Sequence, residues 1–255
     1  CLDSDIRLGS GAVERLIAEV HDDQSLSAVC ATIRPIGEGS LAEYQRHLFR
    51  ASDLVSEVSG STLVLFGAAT AFRGEVLQQV AELNGGLPWR YGTQGEDFDL
   101  TCDILEMGGR AVGVTDVYVE TPAPPGLKAF WMQALRWDAA AYRVLFGRRV
   151  GRGTRHAWLF WWGPLLALSA VRWAATGRLL LPSSRGGRRG AAAVVMSFVV
   201  ADVLLPEVLA RRTGERCACP WPLRTAFGFA KSAEAVTAAA IAAGEKVTGG
   251  SVDLW

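Results

Sequence analysis

The spacing of hydrophobic residues along positions 1–150 alternates between the period of a helix and that of a strand. Val13, Leu16 and Val20 recur at helical spacing, whereas other stretches are short, continuous apolar runs bounded by Gly or Pro. Helices are predicted over 10–20, 41–55, 73–83, 97–107 and 127–146, and strands over 26–33, 62–66 and 112–119. Strands interleaved with helices predict an α/β layer structure for this part of the chain.

The pattern changes near residue 150, where three longer apolar blocks begin. They occupy 157–175, 191–210 and 226–243, and each approaches the ~20 residues that a helix needs to cross a ~30 Å hydrocarbon core. Each block also contains charged residues or proline. Three interpretations therefore stay open for these blocks, namely spanning helices, helices lying in the membrane interface, and buried core helices. We predict a membrane-associated region at 148–255 with two to three apolar helices.

Composition agrees with a division of the chain into two parts. Half of the residues are hydrophobic, nine are Trp, and the mean hydropathy is +0.19, which excludes a disordered or fibrous chain. The net charge is zero, which argues against a nucleic-acid partner. Residues 1–150 nevertheless hold 13 basic and 20 acidic side chains, a net of −7, whereas residues 151–255 hold 13 basic and 6 acidic, a net of +7. Such asymmetry indicates different surroundings for the two parts.

The first candidate for chemistry is the pair Asp3 and Asp5 at the start of the chain. Two carboxylates in a D-x-D spacing suit Mg²⁺ or Mn²⁺, which take one or two protein carboxylates and fill their other positions with water and phosphate oxygens. The spacing is also common in solvated turns, so the pair alone leaves both interpretations open.

Glu96, Asp97 and Asp99 form the second candidate, at the predicted start of a helix. A carboxylate facing a cleft there could accept a proton from a hydroxyl as a general base. The alternative is purely structural: Thr93 and Glu96 have the spacing of a capping box, and acidic residues in the first turn suit the helix dipole.

Gln133, Arg136 and Trp137 are the third candidate. Their spacing puts them on one face of the predicted helix 127–146. Arg offers a planar fork of donors for phosphate oxygens, Trp a flat surface for a sugar ring, and Gln both donors and acceptors. An amphipathic helix with a packed Trp and a solvated Arg is the alternative.

The order of these three clusters, followed by apolar helices, resembles the family 2 membrane glycosyltransferases, and in particular the processive synthases of cellulose, chitin, hyaluronan and poly-N-acetylglucosamine. The stretch from Phe66 to Arg73 is similar to the family's G-x-x-x-x-F-R segment, and Gly108-Gly109-Arg110 also fits. The resemblance covers nearly all of residues 1–147, and the apolar tail more loosely.

The resemblance implies a partial GT-A fold for residues 1–147 and roles for the three clusters. Asp3 and Asp5 match the D-x-D that holds a Mg²⁺ or Mn²⁺ ion and the nucleotide diphosphate. Asp97 matches the catalytic base of the T-E-D motif, with Glu96 beside it, although Gly95 stands where the family often has Thr. The cluster of the Q-x-x-R-W motif would bind the diphosphate and shape the acceptor end of the site; its members are Gln133, Arg136 and Trp137.

The implied reaction is a metal-assisted, inverting transfer of a hexosyl or N-acetylhexosaminyl group from a nucleotide-diphosphate donor to a growing glycan. The expected partners are the sugar nucleotide, a glycan or lipid-linked acceptor, and membrane lipids. The expected location is the cell membrane of a bacterium, as a multi-pass protein with the catalytic part in the cytoplasm. The alternatives are a single-addition family 2 transferase that acts on a lipid acceptor and a catalytically incomplete remnant or subunit that binds or assembles.

The family's D-x-D follows the first half of the nucleotide-binding domain, which carries an Asp that recognises the base. The resemblance therefore implies that this half precedes Cys1 or lies on another polypeptide. We expect the 255 residues alone to bind a sugar nucleotide poorly.

Overall fold

The computed structural model describes residues 6–90, 95–181, 185–213 and 218–249. Its centre is a mixed four-stranded sheet in the order β1-β4-β2-β3. The strands are β1 (Arg7–Leu8), β2 (Ala28–Ile36), β3 (Thr70–Phe72) and β4 (Ala111–Pro122). The two long central strands β2 and β4 are parallel, and the short edge strands run antiparallel to them. The mixed α/β fold predicted from the sequence is thus confirmed.

Helices cover both faces of this sheet because alternate residues of β2 point to opposite sides. Val29 and Ala31 pack with the apolar stripe of α1, whereas Ala28 and Cys30 pack with α3 and α4. The helices of this part are α1 (Ala12–Asp22), α2 (Ser40–Ser59), α3 (Gly74–Leu83), α4 (Glu96–Glu106) and α5 (Leu127–Gly147). All five lie where the hydrophobic spacing predicts helices.

The strand predicted over residues 62–66 is wrong. This segment forms no strand, although its ends are hydrogen-bonded: the Thr62 amide donates to the Ala111 carbonyl, and the Leu65 amide donates to the Thr101 hydroxyl. The side chains of Leu63 and Leu65 are buried in two different clusters. A short buried apolar run looks like a strand in sequence, but here one backbone carbonyl and one side-chain hydroxyl accept in place of a ladder.

The remaining helices are α6 (Arg152–Ala157), α7 (Gly163–Leu180), α8 (Arg185–Thr213) and α9 (Trp221–Thr248). A π-helical turn, Trp158–Trp162, joins α6 to α7, and the Gly163 amide donates to the Trp158 carbonyl. Pro164 has no amide hydrogen, so the ordinary helical ladder is interrupted at this point. Within the described residues, none of the helices combines the length and the apolar character that crossing a bilayer requires.

Helix α9 packs against α5 and so joins the C-terminal helices to the sheet-bearing part. Ala238, Ala239 and Ala242 share one buried cluster with Leu135 and Tyr142 of α5. Small residues on α9 let the two helices approach closely. The helix that carries the predicted Gln133, Arg136 and Trp137 cluster is therefore held from behind by α9.

Candidate functional site

The start of α4 lies against the middle of α5. Gly95 is the residue before α4 and has φ +105°, a conformation that L side chains rarely adopt. A Cβ atom on Gly95 would lie 2.9 Å from the Cβ of Ala140. Gly stands at this position, where the resembled family often has Thr, because both the backbone angle and the space exclude a side chain. Ala140 follows Arg136 and Trp137 by one helical turn, so the second and third clusters are brought together.

The three carboxylates at this helix start have different surroundings. Glu96 is exposed, and its Oε2 accepts a hydrogen bond from the Gly95 amide at 3.1 Å. Asp97 is half-buried, and its Oδ1 accepts from the Phe98 amide at 2.7 Å. Asp99 is buried and ion-paired. The capping-box alternative involves Thr93, which lies outside the described residues, and Glu96 is the first residue of the helix with Gly95 before it.

Asp99 belongs to an ion-pair cluster that holds α4 in place. Arg90 contacts both of its carboxylate oxygens at 2.8 Å, and Arg148, after the end of α5, reaches Oδ1 at 2.6 Å. Asp103 pairs with the same two arginines and accepts from the Asn84 amide group at 3.1 Å. This cluster fixes α4 relative to α5, so the helix start with Asp97 has a rigid support.

Helix α5 presents the third cluster toward α2. Gln133 is half-buried, and its Oε1 accepts a hydrogen bond from Nε2 of Gln45 at 2.9 Å. Trp137 is 45% exposed, and its ring centroid lies 6.2 Å from that of Phe49 in an edge-on arrangement. Arg136 is half-buried on the same helix. The exposed Trp face and the amides form an aromatic and polar surface suited to a sugar ring.

The segment between α2 and β3 connects this surface to Asp97. The Phe66 ring lies 5.8 Å from that of Phe49, and the Leu65 amide donates to the Thr101 hydroxyl. That hydroxyl in turn donates to the Asp97 carbonyl at 2.7 Å. Three elements therefore meet at one candidate site, namely α2, the start of α4 and the exposed face of α5.

Arg73, at the end of the family-like stretch, has a structural role. Its guanidinium donates to the Leu26 carbonyl at 2.6 Å and the Asp23 carbonyl at 2.8 Å, and also to Val20. It thereby joins the end of α1 to the start of β2. Phe66, at the other end of the stretch, contacts Phe49 of α2.

A buried charge cluster lies behind Trp137, between α5 and α9. Lys231 Nζ contacts Asp138 Oδ2 and Glu234 Oε2, each at 2.6 Å. The pKa of Lys231 is raised, because these two carboxylates outweigh the burial that lowers it. Burial raises the pKa of Glu234, and nearby Asp138 raises it further, while Lys231 acts in the opposite direction. Asp138 directly follows Trp137, so this cluster anchors the helix that carries it.

The first cluster, Asp3 and Asp5, lies outside the described residues. Within the described ranges, no group of three or more His, Cys, Asp or Glu side chains could hold a metal ion. The donor set of Asp3 and Asp5 fits Mg²⁺ or Mn²⁺ by its chemistry, since hard oxygen ligands are what these ions prefer. The metal assignment therefore stays a prediction from the sequence.

Comparison with known proteins adds a family to this geometry. Residues 1–206, which are most of the chain, match the sequence profile of the glycosyl transferase family group 2. The chain belongs to this family. As a family 2 chain, it is expected to share the family's α/β fold, which agrees with the mixed sheet described above.

Two relatives show how far the likeness of this family 2 chain extends. It is 28% identical over 153 residues to chitin synthase chs-1 of Caenorhabditis elegans, covering 55% of this chain and 11% of that protein. Its fold is similar to that of the mannosyltransferase PcManGT from Pyrobaculum calidifontis, solved with GDP-Man and Mn²⁺. That comparison has a TM-score of 0.55 at 16% identity and covers 95% of this chain and 63% of the mannosyltransferase. The chain thus spans less than two thirds of either relative.

The sequence did not indicate that α2 contributes to the candidate site. Gln45 and Phe49 are four residues apart, as are their contacts Gln133 and Trp137 on α5. This matched spacing was a usable signal. The apolar residues that predict this helix have a spacing of their own, which includes neither Gln45 nor Phe49; they are Leu41, Tyr44, Leu48, Ala51 and Val55.

Proposed function

We propose that this family 2 chain transfers a sugar from a nucleotide-diphosphate donor to a hydroxyl group of a glycan. The observation that carries the proposal is the approach of Gly95 to Ala140. This contact joins the start of α4, which carries the half-buried Asp97, to the helix that carries Arg136 and Trp137. A base, a cation for the leaving group and a surface for a sugar are then neighbours, as glycosyl transfer requires.

In the proposed mechanism Asp97 accepts the proton of the acceptor hydroxyl as that oxygen attacks the anomeric carbon. The bond from the anomeric carbon to the diphosphate oxygen breaks at the same time, and attack from the opposite side inverts the configuration. Arg136 stabilises the negative charge that grows on the leaving diphosphate. Trp137 holds the acceptor sugar ring in line for the attack.

The residues that would hold a divalent metal are Asp3 and Asp5. When bound there, Mg²⁺ or Mn²⁺ would neutralise charge on the departing diphosphate. The similar mannosyltransferase was solved with Mn²⁺, which supports this assignment. If it is correct, chelation by EDTA abolishes turnover, and Mn²⁺ restores it.

The decisive experiment is Asp97→Asn in the full gene product. Turnover is measured as release of nucleoside diphosphate from GDP-mannose and from UDP-N-acetylglucosamine, and donor binding is measured by calorimetry. We expect turnover to fall by at least ~100-fold, because general base catalysis contributes about that much, while donor affinity stays nearly unchanged.

Glu75→Gln is the matched control, since Glu75 is an exposed acid in the first turn of α3. It should leave turnover unchanged. An equal loss of binding and turnover in Asp97→Asn would make Asp97 a structural residue or a metal ligand. Absence of transfer from both donors by the wild-type protein would favour the alternative of an incomplete remnant with a binding or assembly role.

A growing polysaccharide is the acceptor that we favour over a single lipid. The sequence similarity to a chitin synthase supports this choice, as does the complete Gln133, Arg136 and Trp137 motif. The length distribution of products made from a labelled donor separates the two. A ladder of oligosaccharides supports polymer synthesis, and a single glycolipid band supports the single-addition transferase.

We further propose that α7 and α8 contact membrane lipids. Large apolar side chains on both helices are exposed to solvent, which is typical of an interaction surface; they are Leu168, Val171, Trp173, Leu180, Met196, Val200, Leu204, Leu205 and Val208. Cofractionation with bacterial membranes, and its loss when four of these residues are replaced by Ser, tests the proposal. The multi-pass topology and the cytoplasmic side of the catalytic part stay predictions.

A further inference from the structure

Helix α2 carries an acidic residue next to the two side chains that contact α5. Gln45 contacts Gln133, and Phe49 contacts Trp137. On each helix the second of these residues follows the first by four positions. Residues four apart share one face of a helix, drifting by about 40° per step. Asp53 is therefore the next residue along this face, beside the aromatic side chain of Phe49.

An electrostatic interaction with Cys30 relates Asp53 to the segment that leads to Asp97. Its charge acts on the buried thiol of Cys30, which lies 3.9 Å from the Thr62 hydroxyl and from the Val64 carbonyl. The next residue, Leu65, donates to Thr101 in the first turns of α4. The segment 62–65 thus contacts both Cys30, on which the charge of Asp53 acts, and the helix that carries Asp97.

Asp53 makes no hydrogen bond or ion pair with any residue in the described ranges. Arg50, one turn earlier on α2, acts on it only through its charge, and burial raises the pKa of Asp53 to about 7. Four more deeply buried carboxylates, in contrast, have a cationic partner. Asp99, Asp103, Asp138 and Glu234 each have an Arg or Lys nitrogen within 3.2 Å.

An unpartnered, largely buried carboxylate costs folding free energy. Such a cost is commonly kept where a ligand supplies the missing partner. The surface beside Asp53 limits what that ligand can be, because Trp137 offers an exposed ring face and Gln45 with Gln133 offers amides. Aromatic faces with neutral and acidic acceptors around them match a neutral sugar, whose ring carbons stack and whose hydroxyl groups donate.

We propose that Asp53 is an acceptor-binding residue, which takes a hydrogen bond from a hydroxyl group of the sugar that stacks on Trp137. This inference rests on the proposed function, because it assigns Asp53 to the acceptor side of the same candidate site. Asp53 acts on binding and not on the bond-breaking step, which belongs to Asp97. Within the described residues, the titratable groups that interact electrostatically with Asp53 are Arg50 on its own helix and Cys30 on β2.

The test measures glycan binding by the full gene product with chitotetraose and mannotetraose as probes, using calorimetry. We expect Asp53→Ala to weaken binding of the preferred probe roughly tenfold, the loss typical of a hydrogen bond to a charged group. Asp53→Asn should weaken it less and should remove the pH dependence of binding near neutrality. Glu57→Ala is the matched control, an exposed acid on the same helix, and should bind like the wild type.

Thermal unfolding at pH 8 separates a binding role from a structural one. Removal of an unpartnered carboxylate should leave the melting temperature of Asp53→Asn equal to or above that of the wild type. A lower melting temperature together with weaker binding would make Asp53 structural and overturn the proposal. Binding within twofold of the wild type in both variants, or no glycan binding by the wild type, would also overturn it.

The outcome for Asp53 is distinguishable from the outcome for the proposed function. If the wild type binds a glycan in an Asp53-dependent manner but transfers sugar from neither donor, the proposed function fails and the glycan contact stands. If the wild type transfers sugar and Asp97→Asn does not, while Asp53→Ala binds normally, only the present inference fails.

Discussion

Gly95, the residue before α4, lies very close to Ala140 of α5. The two helices therefore cannot separate without opening the candidate site. A Cβ atom on Gly95 would lie 2.9 Å from Ala140 Cβ and 3.6 Å from the Ala140 carbonyl carbon. The first distance is shorter than real Cβ contacts. This contact holds the start of the helix that carries Asp97 against the helix that carries Trp137.

Gly95→Ala should therefore reduce both stability and turnover. The left-handed backbone conformation costs an L residue about 1–2 kcal/mol, and the clash with Ala140 adds about 1–3 kcal/mol of overpacking. Chemical denaturation measures the loss of stability, and nucleoside diphosphate release measures the loss of turnover.

Gly60→Ala is the control that measures only the cost of the left-handed backbone conformation. Gly60 has φ +74° at the end of α2, and a Cβ there would have nothing within 4 Å. Gly95→Ala should be the more destabilising variant, and Gly60→Ala should retain turnover. Equal effects in both would show that the close contact with Ala140 is unimportant.

Arg136→Lys should lower kcat/KM by at least ~10-fold. Lysine keeps the positive charge but cannot offer the planar fork of donors that pairs with two phosphate oxygens. Arg155→Lys, an exposed position on α6, is the control and should be neutral. Steady-state kinetics with each donor measures the effect. Unchanged kinetics in Arg136→Lys would remove Arg136 from the diphosphate site.

The sequence was sufficient for the elements that carry their own hydrophobic period. The five helices from α1 to α5 and the two long strands were predicted because one face of each is buried, and burial requires regular spacing. The segment 62–66 was mistaken for a strand since its buried leucines obey no period that distinguishes a strand from an ordered loop. The edge strand β1, only two residues long, is too short to leave a pattern.

The site was predictable only in part, for a different physical reason. Asp97 and Trp137 belong to motifs that are local in sequence, so their residues could be named. Lys231 acts through contacts made across the fold, by a helix whose position relative to α5 depends on packing. Asp53 is identified by its place on the face of α2 that meets α5, and that meeting also depends on packing. In the sequence, Lys231 is one of the charged residues within the apolar block 226–243, whereas in the fold it contacts Asp138, 93 residues earlier.

Lys231→Met should be strongly destabilising. It leaves the buried carboxylates of Asp138 and Glu234 without their shared cation, and breaking a buried pair from one side costs about 3–5 kcal/mol. Lys246→Met, at an exposed lysine of the same helix, should cost less than about 1 kcal/mol. Urea unfolding compares the two. If their midpoints coincide, the charge cluster does not anchor α5.

The same cluster should make stability depend on pH through Glu234. Burial and Asp138 raise the pKa of Glu234 above its ordinary value, so the folded state binds more protons than the unfolded state between the ordinary and the raised value. The free energy of unfolding therefore falls as pH increases through that window, and the loss is complete above it.

Glu234→Gln removes this titration and should flatten the decline in stability between pH 5 and pH 8, although Asp53, whose pKa is raised in the same direction, should leave some slope. Denaturant midpoints across this range measure the effect, with Glu75→Gln as the exposed control. Parallel pH profiles for the wild type and Glu234→Gln would mean that Glu234 stays ionised in the folded protein. Lys231 would then stabilise two buried negative charges, and a second cation would be needed to balance them.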